Sequence, residues 1–209
     1  MQTGSTERRF GVKIWVGAAI AALILISAGF LGWQYAVQGT GRSLTAGMKL
    51  GTDFKLVDHN GNPITQAAFE GKPTLVFFGF TRCPEVCPTT LYEMAGWFDA
   101  LGDEGRELQA FFITVDPERD TPEIMKGYAD AFTDRVTGIT GDPDEIAKVI
   151  AAWYVYAAKI PTEDGDYTMD HTASVFLIDR NGEFKGTIAY GESADTAIAK
   201  LRRLAGASG

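Results

Sequence analysis

The run from Thr74 to Phe80, Thr-Leu-Val-Phe-Phe-Gly-Phe, is almost wholly apolar and has no period-two alternation. Gly71-Lys72-Pro73 breaks the chain before it, and Cys83-Pro84-Glu85-Val86-Cys87-Pro88 follows it. A short apolar run bounded by turn signals reads as a strand buried on both faces. Such a strand needs cover above and below. This requirement calls for a sheet covered on both faces.

The rest of the chain can be placed around this strand. After the cysteines, Leu91, Met94, Trp97, Phe98 and Leu101 recur at helical spacing. Pro88 suits the first turn of that helix, and Gly102 stops it. Ala110 to Val115 reads as a second buried strand, followed by the loop Asp116-Pro117-Glu118-Arg119-Asp120. Thr121 caps a helix that begins at Pro122, with Glu123 in its first turn. Gly141-Asp142-Pro143 opens another helix, carrying Ile146, Val149 and Ile150. Ser174 to Asp179 is a strand, which Arg180-Asn181-Gly182 turns into Phe184 to Ile188. A final helix carries Ala197, Ile198, Leu201 and Leu204. Upstream, Phe54 to Asp58 alternates and runs into His59-Asn60-Gly61-Asn62-Pro63, an Asn-Gly hairpin signal. The order hairpin, β, α, β, α, α, β, β, α predicts an α/β fold with a mixed sheet flanked by helices. A cysteine pair where a strand turns into a helix suggests a thioredoxin-like domain. Sites in such sheets lie at the C-terminal edge of the strands.

The N-terminal part has a different character. No charge occurs from Ile14 to Trp33. A run of about 20 apolar residues spans a bilayer core, and Trp15 and Trp33, roughly 27 Å apart on a helix, suit its two interfaces. Arg8, Arg9 and Lys13 precede the run, which places the N-terminus in the cytoplasm and the long C-terminal part outside. A cleaved signal peptide is the alternative, but its apolar region is usually shorter, about 7–15 residues. The expected layout is a cytoplasmic segment 1–13, a transmembrane anchor 14–33, a linker 34–49 and a folded domain 50–209. No long Arg- and Ser-rich leader precedes the anchor. The expected location is therefore a bacterial inner membrane with the domain in the periplasm.

The net charge of −8, with no basic stripe, argues against a nucleic-acid partner. Cys83 and Cys87 are the only cysteines. At i and i+4 they lie about 6 Å apart at Cα on one side of a helical turn. That separation suits a disulfide, a redox pair or two thiolates on one metal ion. A disulfide closing so small a loop constrains the unfolded chain little, so a purely structural bridge is disfavoured. The two histidines are His59, in an exposed turn, and His171, in Asp170-His171-Thr172 just ahead of a strand. Position alone does not separate His171 from a solvated or core histidine. If it joins the thiols, the set of two sulfurs and one nitrogen favours copper, as Cu(I) or Cu(II), without excluding zinc.

Three segments together resemble the SCO/SenC copper-chaperone family: Gly79-Phe80-Thr81-Arg82-Cys83-Pro84-Glu85-Val86-Cys87-Pro88, Val115-Asp116-Pro117-Glu118-Arg119-Asp120-Thr121-Pro122, and Asp166-Tyr167 with Asp170-His171-Thr172. The resemblance runs from Leu50 to the C-terminus and includes the single anchor. It implies a thioredoxin-like domain that binds copper through Cys83, Cys87 and His171. It also implies a metallochaperone rather than an enzyme, whose partner is the copper-site subunit of a cytochrome oxidase, with other copper chaperones or thiol reductants as further partners. Arg82 stands where family members often have His, and a cation there favours the Cys83 thiolate. The rival function is a thiol–disulfide oxidoreductase that reduces cysteines of the oxidase copper site. A thiol peroxidase and a copper or redox sensor are weaker alternatives. Asp116 and Asp120 are read as turn and cap residues, with orientation of His171 or an oxygen ligand to copper as the alternative. Met169, a thioether two residues from His171, is read as packing.

Overall fold

The computed structural model describes residues 47–206, with the isolated positions Ser27 and Gly29. Among these residues no helix is long and apolar enough to cross a membrane. The expected span 14–33 lies outside the described residues, apart from Ser27 and Gly29.

The main sheet contains β1 (Leu56–Asp58), β2 (Pro63–Ile64), β3 (Thr74–Gly79), β4 (Gln109–Thr114), β5 (Val136–Thr140), β8 (Val175–Ile178) and β9 (Phe184–Ile188), in the order β2-β1-β5-β4-β3-β8-β9. The apolar run supplies the inner strand β3. It pairs parallel with β4, Phe77 opposite Phe112, and antiparallel with β8, Phe77 opposite Val175. β4 and β5 are parallel, while β1 joins β5 antiparallel. All six residues of β3 are buried, as its lack of alternation required.

Four α-helices flank the sheet among the described residues: α1 (Val86–Leu101), α2 (Pro122–Asp130), α3 (Pro143–Ala152) and α4 (Ala194–Gly206). The predicted Thr121 cap is present, and the helix that Asp142 opens is capped by Asp142 itself. The Thr121 side chain accepts from Ile124 N–H, and Asp142 accepts from the N–H groups of Asp144 and Glu145. Gly102 ends α1 at φ 49°, a conformation open mainly to glycine.

The alternating pleat sends β3 side chains to two layers. On one face Phe77 stacks on Phe112 at 5.7 Å, Gly79 lies against Cys87 of α1, and Gly138 of β5 lies against Met125 of α2. On the other, Phe78 and Phe176 close on Trp153 at the end of α3, at 5.6 and 5.7 Å. Each buried phenyl ring contributes roughly 1.5–3 kcal/mol through removal from water.

Two features depart from the sequence reading. Val136–Thr140 is a full sheet strand between α2 and α3. In addition, β6 (Ala157–Pro161) and β7 (Tyr167–His171) form a separate antiparallel ribbon, with Ala157 opposite His171. His171 is thus the last residue of β7 as well as lying ahead of β8.

Candidate metal centre

The β3 strand leads directly into the site. After Gly79 the chain turns through Phe80, Thr81 and Arg82, and Cys83 N–H donates to Phe80 C=O at 3.3 Å. Cys87 enters the first turn of α1 and is fully buried, whereas Cys83 stays half-buried before it. The Cys87 N–H donates to Cys83 Sγ at 3.3 Å. An unpaired N–H at a helix start is well suited to hold a thiolate.

The absence of a side chain at Gly79 makes room for Cys87. A Cβ there would meet Cys87 Sγ at 2.6 Å and Phe112 Cε2 at 2.8 Å. Only a glycine lets the sulfur nest against the end of β3.

The ribbon brings the third group. His171 Nε2 lies 3.4 Å from Cys87 Sγ, and its ring packs edge-on to Phe80 at 5.8 Å and near Phe77 at 6.2 Å. Its Nδ1 lies 2.9 Å from Thr172 C=O. Donation from Nδ1–H to that carbonyl leaves the Nε2 lone pair facing the sulfurs. The three donor atoms all lie within 4.8 Å of one another. Cys83 and His171 line a cleft of roughly 290 Å³ with Pro84, Glu85 and Met169, and Cys87 lies buried behind them.

The two thiols differ sharply. Cys83 is drawn down to about 4, foremost by the hydrogen bond from the Cys87 side chain, against burial, with the backbone N–H groups of Cys87 and Glu85 adding to it. Cys87 is pushed up, first by that same bond to Cys83 and then by burial. The pair therefore carries one thiolate, on the more accessible sulfur, and one buried thiol.

The loop Asp116 to Asp120 holds the pieces together. Asp116 is buried, accepts from the Arg119 guanidinium, and accepts from the Tyr167 hydroxyl at 2.8 Å. Arg119 lies over the Tyr167 ring at 3.7 Å and donates to Tyr167 C=O at 2.9 Å. This node clamps β7, and so His171, onto the sheet edge. Asp120 accepts from Thr81 N–H and Oγ1 at 3.1 and 2.6 Å and from Thr114 Oγ1 at 2.6 Å, fixing the turn before Cys83. Both carboxylates are thus more than turn residues. They position the cysteine turn and the ribbon, and neither joins the donor cluster. Arg82 reaches across to Asp166 at 3.5 Å. His59 lies elsewhere, half-buried, with Nδ1 accepting from Gly138 N–H at 3.2 Å.

Sequence reasoning does not single out Tyr167 and Arg119 as site residues. A charged loop and an aromatic on the ribbon are visible in the sequence, but only the docking of β7 on the Asp116–Asp120 loop brings them together.

A thioredoxin-like α/β domain with two thiols and one imidazole converging at the end of an inner strand defines a thiol-based soft-metal or redox domain. Comparison with known proteins narrows this. The SCO1/SenC family model matches residues 42–206. A SCO2-like protein of Rickettsia felis is 37% identical over 139 residues, covering 66% of this chain and 68% of the relative. The structure of Bradyrhizobium japonicum ScoI with copper bound is 49% identical, with TM-score 0.69, covering 74% of this chain and 99% of the other. That of yeast Sco1 with copper bound is 33% identical, with TM-score 0.68, covering 73% and 86%. The chain belongs to the SCO1/SenC family.

Proposed function

We propose that this chain is a membrane-anchored copper chaperone that delivers copper to the copper centre of a respiratory cytochrome oxidase. The observation that carries this reading is the convergence of Cys83 Sγ, Cys87 Sγ and His171 Nε2 within 4.8 Å, with the imidazole lone pair turned inward. Bonds of about 2.0–2.3 Å to one ion place such donors roughly 3.5–4 Å apart, so the set needs only a small contraction. Two thiolates and an imidazole suit copper(I), whereas a structural zinc ion ordinarily takes four protein ligands. Among the described residues the cluster holds these three alone. Two relatives solved with copper bound support the same metal.

Copper is the cargo in this reading. Cys83 offers a thiolate from the outset, and Cys87 gives up its proton as the ion binds. Delivery is ligand exchange: a donor from the oxidase copper-site subunit, or from another copper chaperone, enters as one of the three leaves. Oxidation of the pair to a disulfide removes both sulfur donors and so gates loading. The apolar segment 14–33 holds the domain outside the cytoplasm, with 1–13 inside and 34–49 as a tether.

A second reading has one observation in its favour. The unequal thiols, one accessible thiolate and one buried thiol, also suit attack and resolution in thiol–disulfide exchange. The two readings part at His171. Copper content and copper(I) affinity of the reduced chain are measured beside its His171→Ala variant. The chaperone reading expects binding to be weakened by a factor on the order of a hundred or more. Equal, stoichiometric binding by both refutes the three-donor site.

A further inference from the structure

Met169 borders two hollows. It lines the cleft that holds Cys83 and His171, and it also lines a groove of roughly 470 Å³ between α3 and β6, with Ile146, Ile150, Ala157 and Lys159. It stands two residues before His171 on β7, so the two side chains leave the same face of the ribbon about 6.6 Å apart. Asp170, between them, faces the other way and is exposed. Met169 and Cys83 are both half-buried against the same apolar core. The other residues of β7 are Tyr167, Thr168, Asp170 and His171, so this thioether is the strand's one aliphatic side chain.

A thioether is soft and uncharged, and its three rotatable bonds let the sulfur swing along the strand. An ion held by three donors must exchange them one by one as it passes to another molecule. A weak neutral donor beside the departing ligand lowers the barrier to that exchange.

We propose that Met169 is an exchangeable fourth donor for copper(I), taking the ion's open position as His171 releases it; this rests on the copper reading of Cys83, Cys87 and His171. In the step one copper–nitrogen bond breaks and one copper–sulfur bond forms. The ion stays copper(I), and no proton moves because both donors are neutral. Met169 thus marks the side of the cleft, facing the groove, on which the ion is exchanged.

The test uses the purified, reduced full chain loaded with copper(I). Release to a chromophoric copper(I) chelator is timed for wild type and Met169→Leu, and equilibrium affinity is measured for both. Release is expected to slow about fivefold or more in Met169→Leu, while affinity changes less than about twofold, as fits a weak donor used in transit. A second arm places selenomethionine in the His171→Ala chain and examines copper by X-ray absorption. A copper–selenium shell is expected there, and its absence is expected from His171→Ala/Met169→Leu. Equal release rates in a wild type and Met169→Leu that each hold copper overturn the Met169 role and leave the copper reading standing. So does a His171→Ala chain that holds copper without selenium in its shell, or holds none. Failure of the wild-type chain itself to hold copper overturns both.

Discussion

Replacing Gly79 with alanine tests how tightly the end of β3 sets the position of Cys87. The added methyl would stand 2.6 Å from Cys87 Sγ and 2.8 Å from Phe112 Cε2. Comfortable contacts are about 3.5–4.0 Å, so the sulfur must retreat by roughly 1 Å. Retreat is resisted on all sides, because Cys87 and Phe112 are both fully buried. Overpacking of this kind costs about 1–3 kcal/mol. For a domain of this size a cost near 2 kcal/mol lowers the melting temperature by about 4–8 °C. The same displacement pulls one donor out of register with His171 Nε2, now 3.4 Å away. Copper(I) affinity should then fall about tenfold, near 1.4 kcal/mol. Thermal unfolding by circular dichroism gives the first number, and competition with a copper(I) chelator gives the second. Gly96 is the control. It is helical and exposed, and a methyl group added there would meet nothing within 4 Å. Alanine at that position should stabilise by about 0.5–1 kcal/mol through helix propensity alone. A Gly79→Ala chain with wild-type melting and wild-type copper affinity would refute the steric argument.

Two further outcomes are expected. Tyr167→Phe removes the hydroxyl that donates to buried Asp116, so it should cost about 1–3 kcal/mol and raise amide exchange across Tyr167–His171, read by hydrogen-exchange mass spectrometry; unchanged exchange there would show that the node does not clamp the ribbon. Burial works against ionisation of Asp179, but Lys185 and the N–H groups of Glu183 and Asn181 together hold its carboxyl below the ordinary value of 3.8. A folded-state value below the unfolded one means that Asp179 stabilises the domain above the unfolded value and loses that contribution as pH falls through the folded one. Asp179→Asn should therefore flatten the acid limb of the stability curve below about pH 4, measured by denaturant titration at several pH values; an unchanged limb would rule out this linkage.

The parts of the fold legible in the sequence are those written in burial and caps. The unbroken run at Thr74–Phe80 names an inner strand, Thr121 and Asp142 name helix starts, and Gly102 names a helix end. Val136–Thr140 escapes such a reading because Val-Thr-Gly-Ile-Thr is short and has a glycine at its centre, which weakens the strand signal. The structure explains that glycine: a Cβ at Gly138 would come within 3.0 Å of Met125. The ribbon β6–β7 escapes it for another reason. Its outer residues, from Lys159 to Pro161, are exposed, so no apolar alternation announces it. It is held by Tyr167, Arg119 and Asp116, whose meeting is tertiary. For the same reason spacing cannot single out His171. The cysteine pair is legible locally, while its third partner is legible only through family resemblance.

The unequal burial of the two sulfurs imposes a sequence of events. Cys83 faces the cleft and Cys87 is sealed behind it, in the first turn of α1 and against Gly79. Any molecule that approaches from solvent, whether it brings a metal, a thiol or an oxidant, meets Cys83 first. Cys87 then acts as the innermost holder: the last sulfur to be reached and the last to let go. The direction of traffic through the site is thus built into the packing at the end of one strand.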